Sequence, residues 1–204
     1  MSLQLPAPRL VLASSSASRQ ALLKAAGLSF VAIAPQVDEE AVKRQARTQG
    51  LPPAEAALLL AQAKASAVAT RERDALVVGC DQLLVCGGEW YDKPAGLEQA
   101  RVQLRALRGR SHTLVTAVAC CRADQRLWQA VASPMLTMRR FSDAFLEEYL
   151  RQEKLHVTAS VGAYRLEGPG VHLFAAVEGE HAAILGLPLL ALLDFLRRYG
   201  LLLD

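Results

Sequence analysis

Residues 10–27 read LVLASSSASRQALLKAAG, and this stretch decides the fold class. It begins with the short apolar run of residues 10–13, which predicts a buried strand. The serines that follow are typical of a turn. The spacing of apolar residues over 17–26 predicts a helix that ends at Gly27. A strand that passes through a short turn into a helix is the unit from which α/β proteins are built.

The rest of the chain repeats this alternation and then changes to hairpins. The patterns predict strands at 30–34, 75–85, 113–121, 127–138 and 171–177, and helices at 52–71, 97–107, from Ser142 and from Pro188. Gly87-Gly88 indicates a hairpin, and the polar residues 37–50 are expected to form a mobile loop with some helix. We therefore expect a mixed α/β sheet with flanking helices, in a single domain that spans residues 1–204.

The composition is that of a globular protein. The 204 residues are 52% hydrophobic and 21% charged, with a formal net charge of +3. This composition excludes the collagenous, disordered and disulfide-rich classes of protein. The chain also lacks the dense basic character of a nucleic-acid binder. None of the four cysteines forms a C-x-x-C pair, so we expect reduced thiols. No signal peptide or bilayer-spanning run is recognised, so we expect a cytoplasmic protein without membrane partners.

The serine-rich turn is the first candidate for binding chemistry. Backbone N–H groups at a helix start, hydroxyls of Ser14 and Ser16, and the forked guanidinium of Arg19 suit a phosphate group. The alternative is an ordinary helix cap with a surface arginine. Neither a Walker A sequence nor a G-x-G-x-x-G fingerprint is present, so the usual nucleotide motifs are not used.

Carboxylates and lysines supply the other candidates. Asp81 follows an apolar run, and strand ends in α/β sheets are where ligands gather. The three acids 38–40, which include Glu39, are typical of a solvated loop. Lys64 borders the buried stripe of its helix, where a lysine usually extends to water. Lys93 precedes Pro94, which favours an extended backbone and could direct the side chain into a cleft.

Seven short motifs, taken together, resemble one known family, the Maf-like nucleoside triphosphate pyrophosphatases. Each is unspecific alone, but their order and spacing cover nearly the whole chain. They are residues 12–19 (LASSSASR), 37–39 (VDE), 60–65 (LAQAKA), 79–82 (GCDQ), 93–94 (KP), 162–168 (GAYRLEG) and 186–188 (GLP). Two positions depart from the family pattern: Ala17 replaces a proline, and Asp92 replaces a glycine before the lysine.

The resemblance implies a fold and an activity. The fold would be a long mixed sheet in two lobes around a nucleotide cleft, similar to inosine triphosphatases. The activity would be hydrolysis of a nucleoside triphosphate to the monophosphate and pyrophosphate, with Mg²⁺ or Mn²⁺ as cofactor. The implied site has three groups of residues: catalytic Asp81, Lys64 and Lys93; substrate-binding Ser14, Ser16, Arg19, Gln82 and Glu167; and metal-binding Glu39 and Asp81.

The pair Gln82 and Glu167 resembles the branch of the family that acts on 7-methyl-GTP. Ser18 stands where that branch can carry tryptophan. Two alternatives stay open at this point: a dTTP/UTP pyrophosphatase, and a nucleotide-binding regulator of septum formation. The expected partner is a small nucleoside triphosphate rather than a nucleic acid, and the sequence leaves a homodimer open.

Overall fold

The structure, a computed structural model, describes residues 3–203. In chain order the strands are β1 (Leu10–Ala13), β2 (Val31–Ala32), β3 (Leu76–Cys86), β4 (Glu89–Tyr91), β5 (Ser111–Arg122), β6 (Gln125–Ala132), β7 (Met135–Met138) and β8 (Phe174–Glu178). The helices are α1 (Ala17–Ala25), α2 (Glu39–Thr48), α3 (Pro53–Ala69), α4 (Leu97–Leu107), α5 (Asp143–Glu153), α6 (His181–Ile184) and α7 (Leu189–Arg198). Three short 3-10 helices, Lys154–Thr158, Val161–Ala163 and Pro169–Leu173, connect α5 to β8.

The strands form one mixed sheet. Its order is β2-β1-β3-β5-β7-β8, with β4 paired to β3 and β6 paired to β5. β1 runs parallel to both β2 and β3, whereas β5, β6, β7 and β8 pair antiparallel. The prediction of a long mixed sheet with flanking helices is therefore confirmed. No helix within the described range 3–203 is long and apolar enough to span a bilayer.

The chain divides into two compact units. The first contains residues up to 81, residues 116–132 and residues from 186 onward, and the second contains 82–115 and 133–185. The two lobes expected from the resemblance are thus present, while the nucleotide cleft stays a prediction. Each unit has its own core. In the first, Leu10, Leu76 and Leu196 pack together, and in the second, Leu84, Leu104 and Leu146 do so.

Local signals explain most element boundaries. Ser16 and Ser142 cap α1 and α5 by accepting from the backbone N–H groups of Arg19 and Phe145. Gly27 takes a φ of +74° just beyond α1, a conformation that glycine adopts without steric cost. The Gly87-Gly88 turn joins β3 to β4 as predicted, with Cys86 opposite Glu89.

Three predictions of local structure were wrong or incomplete. The loop expected at 37–50 is mostly the helix α2, because the side chain of Asp38 caps it and two acids occupy its first turn. The strand expected at 127–138 is interrupted before β7, since Pro134 cannot donate to a ladder. The strand expected at 171–177 begins only at Phe174, because residues 169–173 form a 3-10 helix.

Helix α3 lies unusually close to strand β3 at Gly79. A Cβ atom on Gly79 would lie 2.2 Å from the carbonyl oxygen of Ala61 and 2.5 Å from the backbone nitrogen of Ala65. Neither backbone atom can rotate away as a flexible side chain could. Side chains alternate along a strand, so Gly79 and Asp81 face α3, whereas Cys80 faces the opposite core. The absence of a side chain at Gly79 therefore sets the distance from α3 to the strand that carries Asp81.

We expect Gly79→Ala to destabilise the protein by at least about 2 kcal/mol, because overpacking a tight core forces backbone shifts. Gly96→Ala is the matched control, since a Cβ on Gly96 meets nothing within 4 Å. Its cost should stay below about 1 kcal/mol, which corresponds to a weaker helix cap. Urea denaturation of both variants measures the difference. Equal stability of the two variants would contradict the close approach.

Candidate active site

Lys64 is the centre of a three-residue cluster in the first unit. Its Nζ atom donates a hydrogen bond to Oδ1 of Asp81 at 2.6 Å and lies 2.8 Å from Oε1 of Glu39. The side chains of Lys64 and Asp81 are each only 8% exposed, whereas that of Glu39 is 44% exposed. The helix pattern alone predicted a lysine that extends to water. The structure shows instead that Lys64 is buried. It is buried because two carboxylates compensate its charge.

Local structure explains how three separate segments supply this cluster. Lys64 lies on α3 between Ala61 and Ala65, the residues that contact β3 at Gly79. Asp81 follows Gly79 by two positions, so its side chain points to the same face of the sheet. Glu39 is the first residue of α2, a position that the capping of α2 by Asp38 fixes.

A second cluster surrounds the turn after β1. Oγ of Ser14 accepts hydrogen bonds from the backbone N–H of Ser16 at 3.2 Å and from Nη1 of Arg19 at 3.3 Å. Nε of Arg19 donates to the carbonyl oxygen of Gly186 at 2.7 Å. The guanidinium is thus anchored from two sides at the N-terminus of α1. This turn therefore presents hydroxyl, amide and guanidinium donors in one place.

The two clusters lie on neighbouring strands. Ala13 of β1 pairs with Gly79 of β3 in parallel. Ser14 follows this pair by one residue and Asp81 follows it by two, so both lie beyond it in the direction in which the two strands run. Charges of both clusters affect the pKa of the Cys80 thiol. Burial raises its pKa to about 11, while the charges of Arg19 and Lys64 oppose that rise. A thiol with this pKa stays protonated at neutral pH and is not a nucleophile.

The remaining predicted residues belong to the second unit. Gln82 is partly buried, and its Nε2 donates to the carbonyl oxygens of Ala183 and Ile184 at 3.0 and 3.1 Å. Lys93 and Glu167 are exposed. Lys93 follows β4, and Glu167 lies in a turn closed by a hydrogen bond from the N–H of Gly168 to the carbonyl of Arg165. The structure thus unites six of the nine predicted residues in the first unit and places three in the second.

Two glycines of the sequence motifs contribute to the site although the sequence alone did not predict their roles. Gly186 anchors Arg19 through its carbonyl oxygen and has a φ of +101°. A Cβ there would lie 3.1 Å from Nε of Arg19. Gly79 permits the contact with α3. Both glycines stand in the motifs quoted above, but a motif shows only that a residue recurs. Their roles depend on neighbours more than ten positions away in the chain.

The carboxylates of Glu39 and Asp81 form a donor set that fits a hard divalent cation. Both carboxylates contact Nζ of Lys64 and therefore lie close together, and Mg²⁺ is typically held by one or two carboxylates together with water and phosphate oxygens. No group of three or more His, Cys, Asp or Glu side chains in residues 3–203 could enclose a metal ion. With only these two carboxylates as protein ligands, a cation would keep coordination positions for a ligand.

Comparison with known proteins identifies the family. Residues 9–199 match the family model described as Maf-like protein. The chain belongs to the Maf-like protein family. Relatives of this Maf-like protein include one from Granulibacter bethesdensis, 49% identical over 191 residues that cover 94% of this chain and 97% of the relative. Another from Rhodospirillum rubrum is 50% identical over 197 residues, with coverages of 97% and 98%. Both are named nucleoside triphosphate pyrophosphatase.

A relative from Rhizobium meliloti carries a more specific name. It is named 7-methyl-GTP pyrophosphatase and is 44% identical over 193 residues, which cover 95% of this chain and 97% of the relative. Among solved structures, a nucleoside-triphosphatase / dITP/XTP pyrophosphatase from Mycobacterium abscessus is similar with a TM-score of 0.39 and 15% identity. The match covers 94% of this Maf-like protein and 98% of that chain.

We expect Lys64→Ala to lower the free energy of unfolding of this Maf-like protein by about 3 kcal/mol, because it leaves the buried carboxylate of Asp81 without its cation. Arg198→Ala is the matched control. Arg198 and Asp194 form a 2.8 Å ion pair in which both side chains are 63% exposed. Its loss should cost less than about 1 kcal/mol. Chemical denaturation compares the two, and an equal cost would show that the Lys64 cluster contributes no more than a surface pair.

Proposed function

We propose that this chain hydrolyses nucleoside triphosphates between the α and β phosphorus atoms, with 7-methyl-GTP as the preferred substrate. Relatives with 49% and 50% identity are named nucleoside triphosphate pyrophosphatase, so the chain is a hydrolase of nucleoside triphosphates. The observation that carries the proposal is the buried Lys64 between Asp81 and Glu39, next to the donor-rich turn at Ser14. This arrangement offers positive donors for phosphate and carboxylates for a cation at adjacent positions.

The turn after β1 is proposed to bind the phosphate chain. The hydroxyls of Ser14 and Ser16 and the N-terminus of α1 offer hydrogen-bond donors to phosphate oxygens. Arg19 adds a guanidinium whose fork matches the geometry of a phosphate. Because Gly186 and Ser14 already fix this guanidinium, little side-chain entropy remains to be lost on binding.

Lys64 and Asp81 are proposed to carry the chemical step. The ammonium of Lys64 stabilises the negative charge that develops on the phosphate oxygens, in a buried environment where such charges interact strongly. Its hydrogen bond also orients the carboxylate of Asp81, which accepts the proton of the attacking water. Lys93, from the second unit, is proposed as a further cation for the phosphate chain.

A divalent cation, Mg²⁺ or Mn²⁺, would be held by Glu39 and Asp81 and would neutralise phosphate charge as the pyrophosphate leaves. The local charges support this assignment. Two carboxylates surround one ammonium, so the cluster carries a net negative charge that attracts a cation. The exposure of Glu39 gives a ligand access from solvent.

Glu167 is proposed to read the base. An ionised carboxylate only accepts hydrogen bonds, and guanine offers adjacent donors at N1 and N2. Methylation at N7 gives the ring a positive charge, which strengthens this pairing. Uracil and thymine offer one N–H between two carbonyls, so one carboxylate oxygen would face a carbonyl. The amide of Gln82, oriented by the carbonyls of Ala183 and Ile184, is proposed as a second contact to the base.

The first test concerns the bond that breaks and the role of Asp81. We expect the wild-type products to be a monophosphate and pyrophosphate, and Asp81→Asn to lose at least ~10²-fold in kcat, because the proton acceptor is removed. Asp74→Asn, an exposed residue of the same unit, is the matched control and should keep full activity. Product chromatography and thermal melts measure both effects.

Two results would contradict this assignment. Orthophosphate released without added pyrophosphatase would show that a different bond is cleaved. Near-normal turnover in a folded Asp81→Asn variant would remove Asp81 from the chemical step. A binding protein without turnover, such as a regulator, would release neither product.

The second test concerns the base. We expect kcat/KM for 7-methyl-GTP to exceed that for GTP, UTP and dTTP, and Glu167→Gln to reduce this preference by about tenfold or more. The carboxylate of Glu167 rejects a wrong base because one of its oxygens is then left without a donor. The amide of the introduced glutamine can both donate and accept, so discrimination should weaken. A wild-type preference for UTP or dTTP would refute the assignment. So would an unchanged ranking in Glu167→Gln.

A further inference from the structure

Helix α5 holds the segment that carries Glu167 at two points. The hydroxyl of Tyr149 donates to the carbonyl oxygen of Ala163 at 3.1 Å. Four residues further along α5, Glu153 accepts two hydrogen bonds from Arg165, from Nε at 2.9 Å and from Nη2 at 3.0 Å. The side chain of Glu153 is only 3% exposed, whereas that of Arg165 is 30% exposed. A carboxylate so deeply buried at a helix end needs this partner.

Arg165 is also the first residue of the turn that presents Glu167. Its carbonyl oxygen accepts the hydrogen bond from the N–H of Gly168 that closes this turn. A Cβ on Gly170 would lie 2.4 Å from the same carbonyl oxygen, so the backbone here is packed without free space. These contacts hold the backbone of Arg165 in place. The conformation of the Arg165 side chain therefore determines which carboxylate its guanidinium contacts.

Two carboxylates act on that guanidinium, Glu153 by contact and Glu167 by its charge. The hydrogen bonds that Arg165 donates to Glu153 are the largest cause of its raised pKa, and the charge of Glu167 raises that pKa further. Glu167 stands only two positions from Arg165 in the same turn. In the structure the guanidinium forms its two-point pair with the buried Glu153.

An arginine and a guanine edge make the same kind of contact to a carboxylate. Each presents two parallel N–H donors to the two oxygens. A guanidinium seated on Glu167 would therefore occupy the oxygens that the proposed base contact uses. Arg165 is an intramolecular competitor of the base unless another group holds it.

We propose that Glu153 is a positioning residue for base selection: it holds the guanidinium of Arg165 on α5, so that Arg165 does not compete with the base for Glu167. This role rests on the proposed function of Glu167. It assigns to a buried acid outside the substrate contacts an indirect effect on which nucleotide is hydrolysed. The effect on base selection depends on the charge of Arg165. The effect of a purely structural role would not depend on that charge.

The test uses the full-length enzyme and the ratio of kcat/KM for 7-methyl-GTP to that for UTP. Glu153→Gln should lower this ratio by about tenfold, the scale of one charge-assisted hydrogen bond lost to a competitor. The double variant Glu153→Gln with Arg165→Met removes the competitor and should restore the ratio to within about threefold of wild type. A structural role predicts that the double variant is at least as impaired as the single one.

Glu153→Asp provides a variant that retains the buried charge and so is the safest to fold. The shorter side chain loses the two-point contact, and the ratio should fall by about threefold. Thermal melts accompany every variant. An unchanged ratio in the folded Glu153 variants would overturn the proposal, and so would a double variant whose ratio stays low.

The wild-type enzyme and Glu167→Gln separate this proposal from the function on which it rests. If wild type prefers UTP, or if Glu167→Gln leaves the ratio unchanged, the proposed base reading fails and Glu153 loses its role with it. If both behave as expected while Glu153→Gln leaves the ratio unchanged, only the role of Glu153 is refuted.

Discussion

The backbone of α3 lies directly against β3 at Gly79, where the carbonyl oxygen of Ala61 occupies the space that a methyl group would need. The candidate site of the first unit depends on this contact. It brings Lys64 within 2.6 Å of Asp81, although the two residues lie on different elements. A larger residue at position 79 would separate the helix from the strand and leave two buried charges apart. The cost of burying the charges is offset only while they touch.

The charges of the first unit are arranged in two adjacent groups of opposite character. The turn after β1 concentrates donors around Arg19, and the Lys64 cluster carries one more negative than positive charge. A nucleoside triphosphate with its divalent cation has the complementary pattern, since the phosphate oxygens need donors and the cation needs carboxylates. The burial of Lys64 and Asp81 strengthens these interactions because the surrounding dielectric is low. This complementarity links the geometry to the activity named for the relatives of this chain.

Much of the fold could be predicted from local signals. Apolar runs, serine caps and glycine stops place β1, α1, α3, α4 and α5 where the structure has them. Helix α2 was predicted only in part because its residues are polar and only Ala46 is buried, so the cap at Asp38 and the two acids of its first turn are its local signals. The break between β6 and β7 depends on Pro134, whose effect on a ladder outweighs the apolar character of its neighbours.

The site was predictable in its residue types but not in its contacts. The motifs named Lys64, Asp81 and Glu39, whereas the pattern alone favoured a lysine exposed to water and acids in a solvated loop. Burial of Lys64 and Asp81 results from tertiary contacts that local spacing does not encode. The same holds for the pair of Glu153 and Arg165, because an acid at the end of a helix resembles a surface residue in the sequence. A cytoplasmic location and a homodimer stay predictions.

Anomalous diffraction from crystals grown with Mn²⁺ and a non-hydrolysable analogue of 7-methyl-GTP tests the central claim most directly. The account predicts a manganese peak within coordination distance of the carboxylates of Glu39 and Asp81, with the phosphate chain on the donors of Ser14, Ser16 and Arg19. A manganese peak or a phosphate chain bound away from these residues would contradict it.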